Sequence, residues 1–156
     1  MKKTIVTMLL FLSALVVLAA SAPANFAGNW TFDSVQSKNI GMMGQAKIQT
    51  TVTQSKTRLA VDDNSVFSGQ ADTQHTVYDL NGKPVTNTSM MTGEATTRSH
   101  WDGPRLITEW ESAGAIAGTT ITRIETRYLS ADGKTMYVES ARPRKDPMIM
   151  AFTKDK

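Results

Sequence analysis

From residue 28 onward, apolar and polar side chains alternate with a period of two through one short segment after another. Successive side chains of an extended chain point to opposite faces, so each segment reads as a strand with one buried and one wet face. Nine segments carry the pattern: 28–34, 46–55, 57–63, 72–80, 92–101, 105–112, 118–129, 134–141 and 148–154. Thr, Val, Ile, Tyr and Trp dominate them, as residues suited to a pleated surface do. No segment sustains a helical period. Asn81-Gly82, Asp102-Gly103 and Asp132-Gly133 fall between strands, where both residues of each pair tolerate the positive φ of a tight reversal.

Parity then assigns faces. The predicted inward sets are Trp30/Phe32, Ile48/Thr50/Val52, Leu59/Val61, Thr76/Tyr78/Leu80, Ala95/Thr97/Ser99/Trp101, Leu106/Thr108/Trp110, Met136/Val138/Ser140 and Met150/Phe152. In 118–129 the apolar residues decide: Thr122, Ile124, Thr126 and Tyr128 face inward, and Arg123, Glu125 and Arg127 face solvent. His100 points outward with Glu94 and Arg98.

A sheet with one wet face and no helix to cover the other must fold back on itself as a barrel or a sandwich. The mostly short connections favour a single all-β, antiparallel up-and-down barrel of 8–10 strands. Antiparallel closure needs an even count, so either 28–34 is a short closing segment or 85–90 supplies a tenth strand. Functional variation is expected in the longer connections 36–45, 64–71, 84–91 and 142–147.

The first 24 residues stand apart. Lys2 and Lys3 precede the apolar run 4–20, and Ala20, Ser21, Ala22 and Ala24 follow as small residues. This is the layout of a cleaved export signal, with cleavage near 21–24 and a barrel domain over 25–156. The apolar run falls short of the length usual for a membrane span. Expected localisation is periplasmic or extracellular. Loss of Lys2 and Lys3 leaves 15 basic against 14 acidic residues, so the pI of about 9.3 is no nucleic-acid footprint. The absence of Cys excludes a disulfide-stapled design, a thiolate nucleophile and a lipid-bearing Cys at the new N-terminus. The tail 142–156 keeps five basic residues against two acidic ones, a solvated rim or a contact for anionic lipid or polysaccharide.

The inward face mixes aromatic bulk with eight hydroxyls: Thr50, Thr76, Thr97, Ser99, Thr108, Thr122, Thr126 and Ser140. An unpartnered buried hydroxyl costs about 1–3 kcal/mol. Either these groups bond to neighbouring strands and buried water, or they line a cavity for a small molecule. Tyr78, Trp101, Thr108, Trp110, Thr126 and Tyr128 are the candidate ligand walls.

Phe26-Ala27-Gly28-Asn29-Trp30 resembles the Gly-x-Trp opening of calycin-type barrels, the lipocalins and avidins. Trp101-Asp102-Gly103-x-x-Leu106 and the run Leu129–Met136 resemble segments of uncharacterised secreted bacterial lipocalin-like proteins. The resemblance implies a barrel that carries a small hydrophobic ligand, with the first Trp packed at the closed end against a late-strand Arg. Here the last strand offers Lys154, in phase with Phe152, and neither a Thr-Asp-Tyr motif nor a C-terminal helix appears.

No catalytic motif is present. His75 and His100 are the only His, without metal-ligand spacing, and no G-x-S-x-G elbow occurs. No cofactor, metal or nucleic acid is expected, nor a stable membrane anchor after cleavage. Met42-Met43 and Met90-Met91 sit in expected loops, placed at opposite ends of the meander. The expectation is a non-enzymatic exported barrel for a small hydrophobic or amphipathic ligand. The alternative is an envelope interaction or inhibitor module acting through its loops.

Overall fold

The computed structural model describes residues 22–89, 93–142 and 144–156. Residues 1–21 of the expected export signal (1–24) and the Met90-Met91 pair lie outside the described residues.

Ten strands form one antiparallel sheet: β1 (Gly28–Lys38), β2 (Lys47–Gln54), β3 (Arg58–Phe67), β4 (Gln70–Asp79), β5 (Val85–Ser89), β6 (Gly93–Asp102), β7 (Arg105–Ala113), β8 (Thr120–Leu129), β9 (Thr135–Arg142) and β10 (Lys145–Lys154). The spatial order is β4-β3-β2-β1-β10-β9-β8-β7-β6-β5. Every pair of chain neighbours except β4 and β5 is laddered, and β1 pairs with β10, so the meander curls into an up-and-down barrel. The tenth strand is the 85–90 segment.

The barrel closes without a ladder between β4 and β5, the two ends of the sheet order. Side-chain amides bridge that seam instead. Asn87 on β5 accepts the Val77 N–H through Oδ1 at 2.9 Å and donates from Nδ2 to the Val77 carbonyl at 2.7 Å. Gln74 Nε2 donates across the same seam to the Thr88 carbonyl at 3.0 Å. The side chain of Asn87 thus supplies the donor–acceptor pair that a backbone partner would have offered.

The three predicted Gly turns all lie at one end, each with its Gly at positive φ: Gly82 at 85°, Gly103 at 56° and Gly133 at 69°. That end is shut. Phe26, wholly buried, stacks on Trp101 with centroids 5.9 Å apart, and Trp30, also wholly buried, donates from its indole to the Phe26 carbonyl at 2.9 Å. Lys154 Nζ lies 5.2 Å above the Trp30 ring, the place the resemblance gave to an Arg. Leu59, Leu80, Leu106, Met136 and Phe152 complete the apolar plug.

The other end is the mouth. Here the strands run further than the sequence pattern indicated. Of the expected long connection 64–71 only the turn at Ser68-Gly69 remains, both residues at positive φ. The connection 84–91 is largely β5, and the expected connection 142–147 is mostly taken up by the ends of β9 and β10. A one-turn 3-10 helix, Gly41–Gln45, occupies the β1–β2 connection. Met42-Met43 lies at the mouth, where the paired Ser89 and Gly93 also end.

Candidate functional site

Cross-strand register fixes which side chains enter the barrel, because directly paired residues share a face. Leu106, Thr108 and Trp110 of β7 are buried inward as expected, and their partners on β8 are Arg127, Glu125 and Arg123. The parity assigned to β8 is therefore reversed. Arg123, Glu125 and Arg127 point into the barrel, while Thr122, Ile124, Thr126 and Tyr128 lie on the outer face. Every other assigned face holds. The inference failed at β8 because it let two apolar residues outvote three charged ones, and here the charges are compensated inside.

That compensation begins with an ion pair. Arg127 Nη2 donates to Glu125 Oε1 at 3.2 Å, with both side chains at least nine-tenths buried. Tyr78 Oη donates to the same carboxylate oxygen at 3.3 Å. The Arg127 guanidinium also lies 5.6 Å from the Tyr78 ring centroid and meets Met136 Sδ at 3.7 Å. Thr50 donates to Asp63, a third inward charge on β3. Desolvation alone would lower the Arg127 pKa, but Tyr78, Glu125 and Asp63 outweigh it and hold the guanidinium above its ordinary value. Burial pushes Asp63 up, against the pull of the Thr50 hydrogen bond and of Arg127. Burial and the Glu125 charge push the Tyr78 phenol strongly up, so it stays a donor.

One step nearer the mouth the compensation stops. The Arg123 guanidinium sits 4.8 Å over the Trp110 ring, its cross-strand partner. Arg123 Nε and Trp110 Nε1 are both buried, and neither has a protein acceptor. Trp110 is fixed edge-on against Tyr78, centroids 6.0 Å apart and planes at 84°. Two adjacent donors thus line the interior with their hydrogen bonds unmade, a costly arrangement that an incoming acceptor would relieve. Phe32, Met148 and Met150, on β1 and β10, are half-buried inward positions of the same interior.

Most of the hydroxyls are spoken for. Ser99 and Thr108 share a hydrogen bond at 2.8 Å. Thr97 receives Asn87 Nδ2 at 2.9 Å and donates to the Val85 carbonyl at 3.2 Å. Thr76 receives Gln74 at 3.3 Å. Of the two readings of the inward hydroxyls, bonding to neighbouring strands accounts for Thr50, Thr97, Ser99 and Thr108, and Thr76 is met from its own strand. Charged groups assigned to solvent carry the open chemistry.

Of the six sequence-selected wall residues, Tyr78, Thr108 and Trp110 meet in the interior and Trp101 caps the closed end against Phe26. Thr126 and Tyr128 do not join them. Tyr128 stacks outside on Tyr137 at 5.2 Å beneath the Arg105 guanidinium, with burial and the nearby Glu139 raising its phenol pKa. Two surface hollows of about 470 and 440 Å³ lie near the closed end, and neither touches the interior charges. Both His are exposed; His75 Nδ1 is 2.6 Å from Asp62 on the outer wall. Among the described residues no three His, Cys, Asp or Glu converge as a metal group would need.

This barrel fold recurs in solved structures. Human cRBP IV superposes with a TM-score of 0.63 at 17% identity, covering 85% of this chain and 100% of that one. The REP1-NXSQ fatty acid transporter gives 0.63 at 14%, covering 83% and 96%. The chain has the fold of the fatty-acid-binding barrels. Caenorhabditis elegans lipid binding protein 8 agrees, at 0.65 and 10% identity, covering 83% and 95%. These neighbours share the expected calycin-like barrel fold, and the ten strands of this chain fall within the expected 8–10. No family model matches the sequence. No curated protein matches it either.

Proposed function

We propose that this chain is an exported barrel that holds one small hydrophobic or amphipathic molecule. An acceptor group of that molecule, a carboxylate or carbonyl, lodges at Trp110 Nε1 and Arg123 Nε, and its apolar part lies towards Phe32, Met148 and Met150. The unmade pair of buried donors carries this reading, since Arg127 is already neutralised by Glu125 and is not free to meet a ligand. The names of the structural neighbours, a fatty acid transporter and a lipid binding protein, support the ligand class. Export rests on residues 1–24.

A displacement titration tests the reading, with a fluorescent lipid probe competed by a fatty acid, by its methyl ester and by the parent hydrocarbon. The acid and ester should compete and the hydrocarbon should be weaker by about tenfold or more, as expected for lost charge-assisted or neutral hydrogen bonds. Arg123→Met should remove the advantage of the acid. Failure of all three to bind would sink the proposal. Mass spectrometry of the exported product should show cleavage between residues 21 and 24; an intact N-terminus would refute export processing.

A further inference from the structure

The two ends of the barrel differ in what they show to solvent. At the shut end the turns are polar: Ser55-Lys56-Thr57, Asn81-Gly82-Lys83, Asp102-Gly103-Pro104 and Ser130–Lys134. At the mouth, exposed apolar side chains join the polar ones. The exposed large hydrophobic side chains among the described residues all lie there, Val35 at 93%, Met42 at 75% and Ile116 at 73% exposure leading, with Val66, Phe67 and Ile121 behind them. Scattered exposed apolar residues need no explanation, but confinement to one rim does.

Val35 is held out by construction. The β1–β10 register slips between Asp33 and Lys38, and Asp33 Oδ1 accepts the Val35 and Gln36 amides at 2.9 and 3.1 Å. Ser37 Oγ accepts the Ala151 amide at 2.9 Å, so the bulge is bonded into the wall. Beside it, Asn39 Nδ2 donates to the Pro147 carbonyl at 2.8 Å, which ties the β1–β2 connection to the first residues of β10. The β1–β2 connection and the β9–β10 corner thus form one platform. It presents Val35 and Met42 together with exposed Lys38, Arg144 and Lys145, against one exposed acid, Asp146. Asp72 and Glu94 lie on other strands of the rim.

The geometry points to the β1–β2/β9–β10 platform as a docking surface for an anionic lipid bilayer. Apolar side chains of this kind enter the headgroup boundary while Lys and Arg meet the lipid charge, a pairing that a neutral apolar partner would not select. Docking in this orientation turns the barrel mouth to the bilayer.

Vesicle co-sedimentation of the chain recovered from the exporting host tests this. Phosphatidylcholine vesicles containing phosphatidylglycerol should bind it, phosphatidylcholine alone should bind it about tenfold more weakly, and the difference should shrink as salt rises. The double variant Val35→Asp, Met42→Asp should lose binding to both vesicles, and Lys38→Glu, Lys145→Glu should lose only the anionic preference. All four positions are exposed, so circular dichroism should be unchanged. Absence of binding, or equal binding by the charge-reversal variant, overturns the inference. So does sedimentation equilibrium showing a dimer that Met42→Asp dissociates, which would make a second copy the occupant.

Discussion

Arg127 donates to Glu125 at 3.2 Å from two positions along the same face of β8, and that face is the inside of the barrel. Burying both charges costs several kcal/mol per ion before their attraction returns it, so the pair holds only while both members remain. Glu125→Gln leaves a buried guanidinium near Asp63 alone and should cost about 3–5 kcal/mol. Glu125→Leu with Arg127→Met should recover most of that loss. Urea unfolding of both variants checks the contrast. Equal destabilisation would mean the pair is net favourable by itself.

Trp30 makes the closed end a second test. Its indole donates to the Phe26 carbonyl and carries Lys154 over its face. Trp30→Phe forfeits the hydrogen bond, orphans the carbonyl and leaves a void, and should cost about 2–4 kcal/mol. Lys154→Met keeps the packing stem and removes the charge, so it should cost about 1 kcal/mol or less. Thermal unfolding of the two variants separates packing from cation–π attraction.

The scaffold was legible because alternation, turn chemistry and parity are local. Asn81-Gly82, Asp102-Gly103 and Asp132-Gly133 each sit between consecutive strands, and every inward set except that of β8 is where the pattern put it. The interior chemistry was not legible, for a reason that resides in Arg123, Glu125 and Arg127. Alternation reports polarity, and a charged residue reads as wet unless its partner is known. Two partners, Tyr78 on β4 and Asp63 on β3, are distant in sequence and meet β8 only through closure, while Trp110 faces Arg123 across the β7–β8 ladder. The seam was hidden likewise. Asn81-Gly82 turns the chain, yet β4 and β5 then part and Asn87 rejoins them by its side chain.

Asp63 gives a pH dependence with a definite sign. Burial raises its pKa above the unfolded carboxyl's value of 3.8. Across the window from 3.8 up to that raised value, the folded protein binds more protons than the unfolded chain. Stability therefore falls as pH rises through the window, and the penalty persists at neutral pH. Asp63→Asn retains the oxygen that accepts from Thr50 and removes the charge. It should be more stable than the parent at pH 7, with the difference vanishing towards pH 3. Denaturant midpoints at the two pH values decide it, and a variant less stable at pH 7 would show that Arg127 needs Asp63 as well as Glu125.

Asn87 offers the last test, because the barrel's one interrupted seam depends on it. Its amide takes both hydrogen-bonding groups of Val77 and donates to Thr97 besides, at a position only 7% exposed. Asn87→Ala orphans a backbone donor and a backbone acceptor together, each worth about 1–3 kcal/mol when buried, although water entering the opened seam would recover part. The expected loss is about 2–4 kcal/mol. Asn87→Asp keeps the acceptor for the Val77 N–H but faces the Val77 carbonyl with a second acceptor, so it should be no better than Ala. Amide exchange locates the effect: Val77 should lose protection in both variants while Leu106 and Met136, at the closed end, keep theirs. Protection lost evenly around the barrel would instead make the seam inseparable from the global fold.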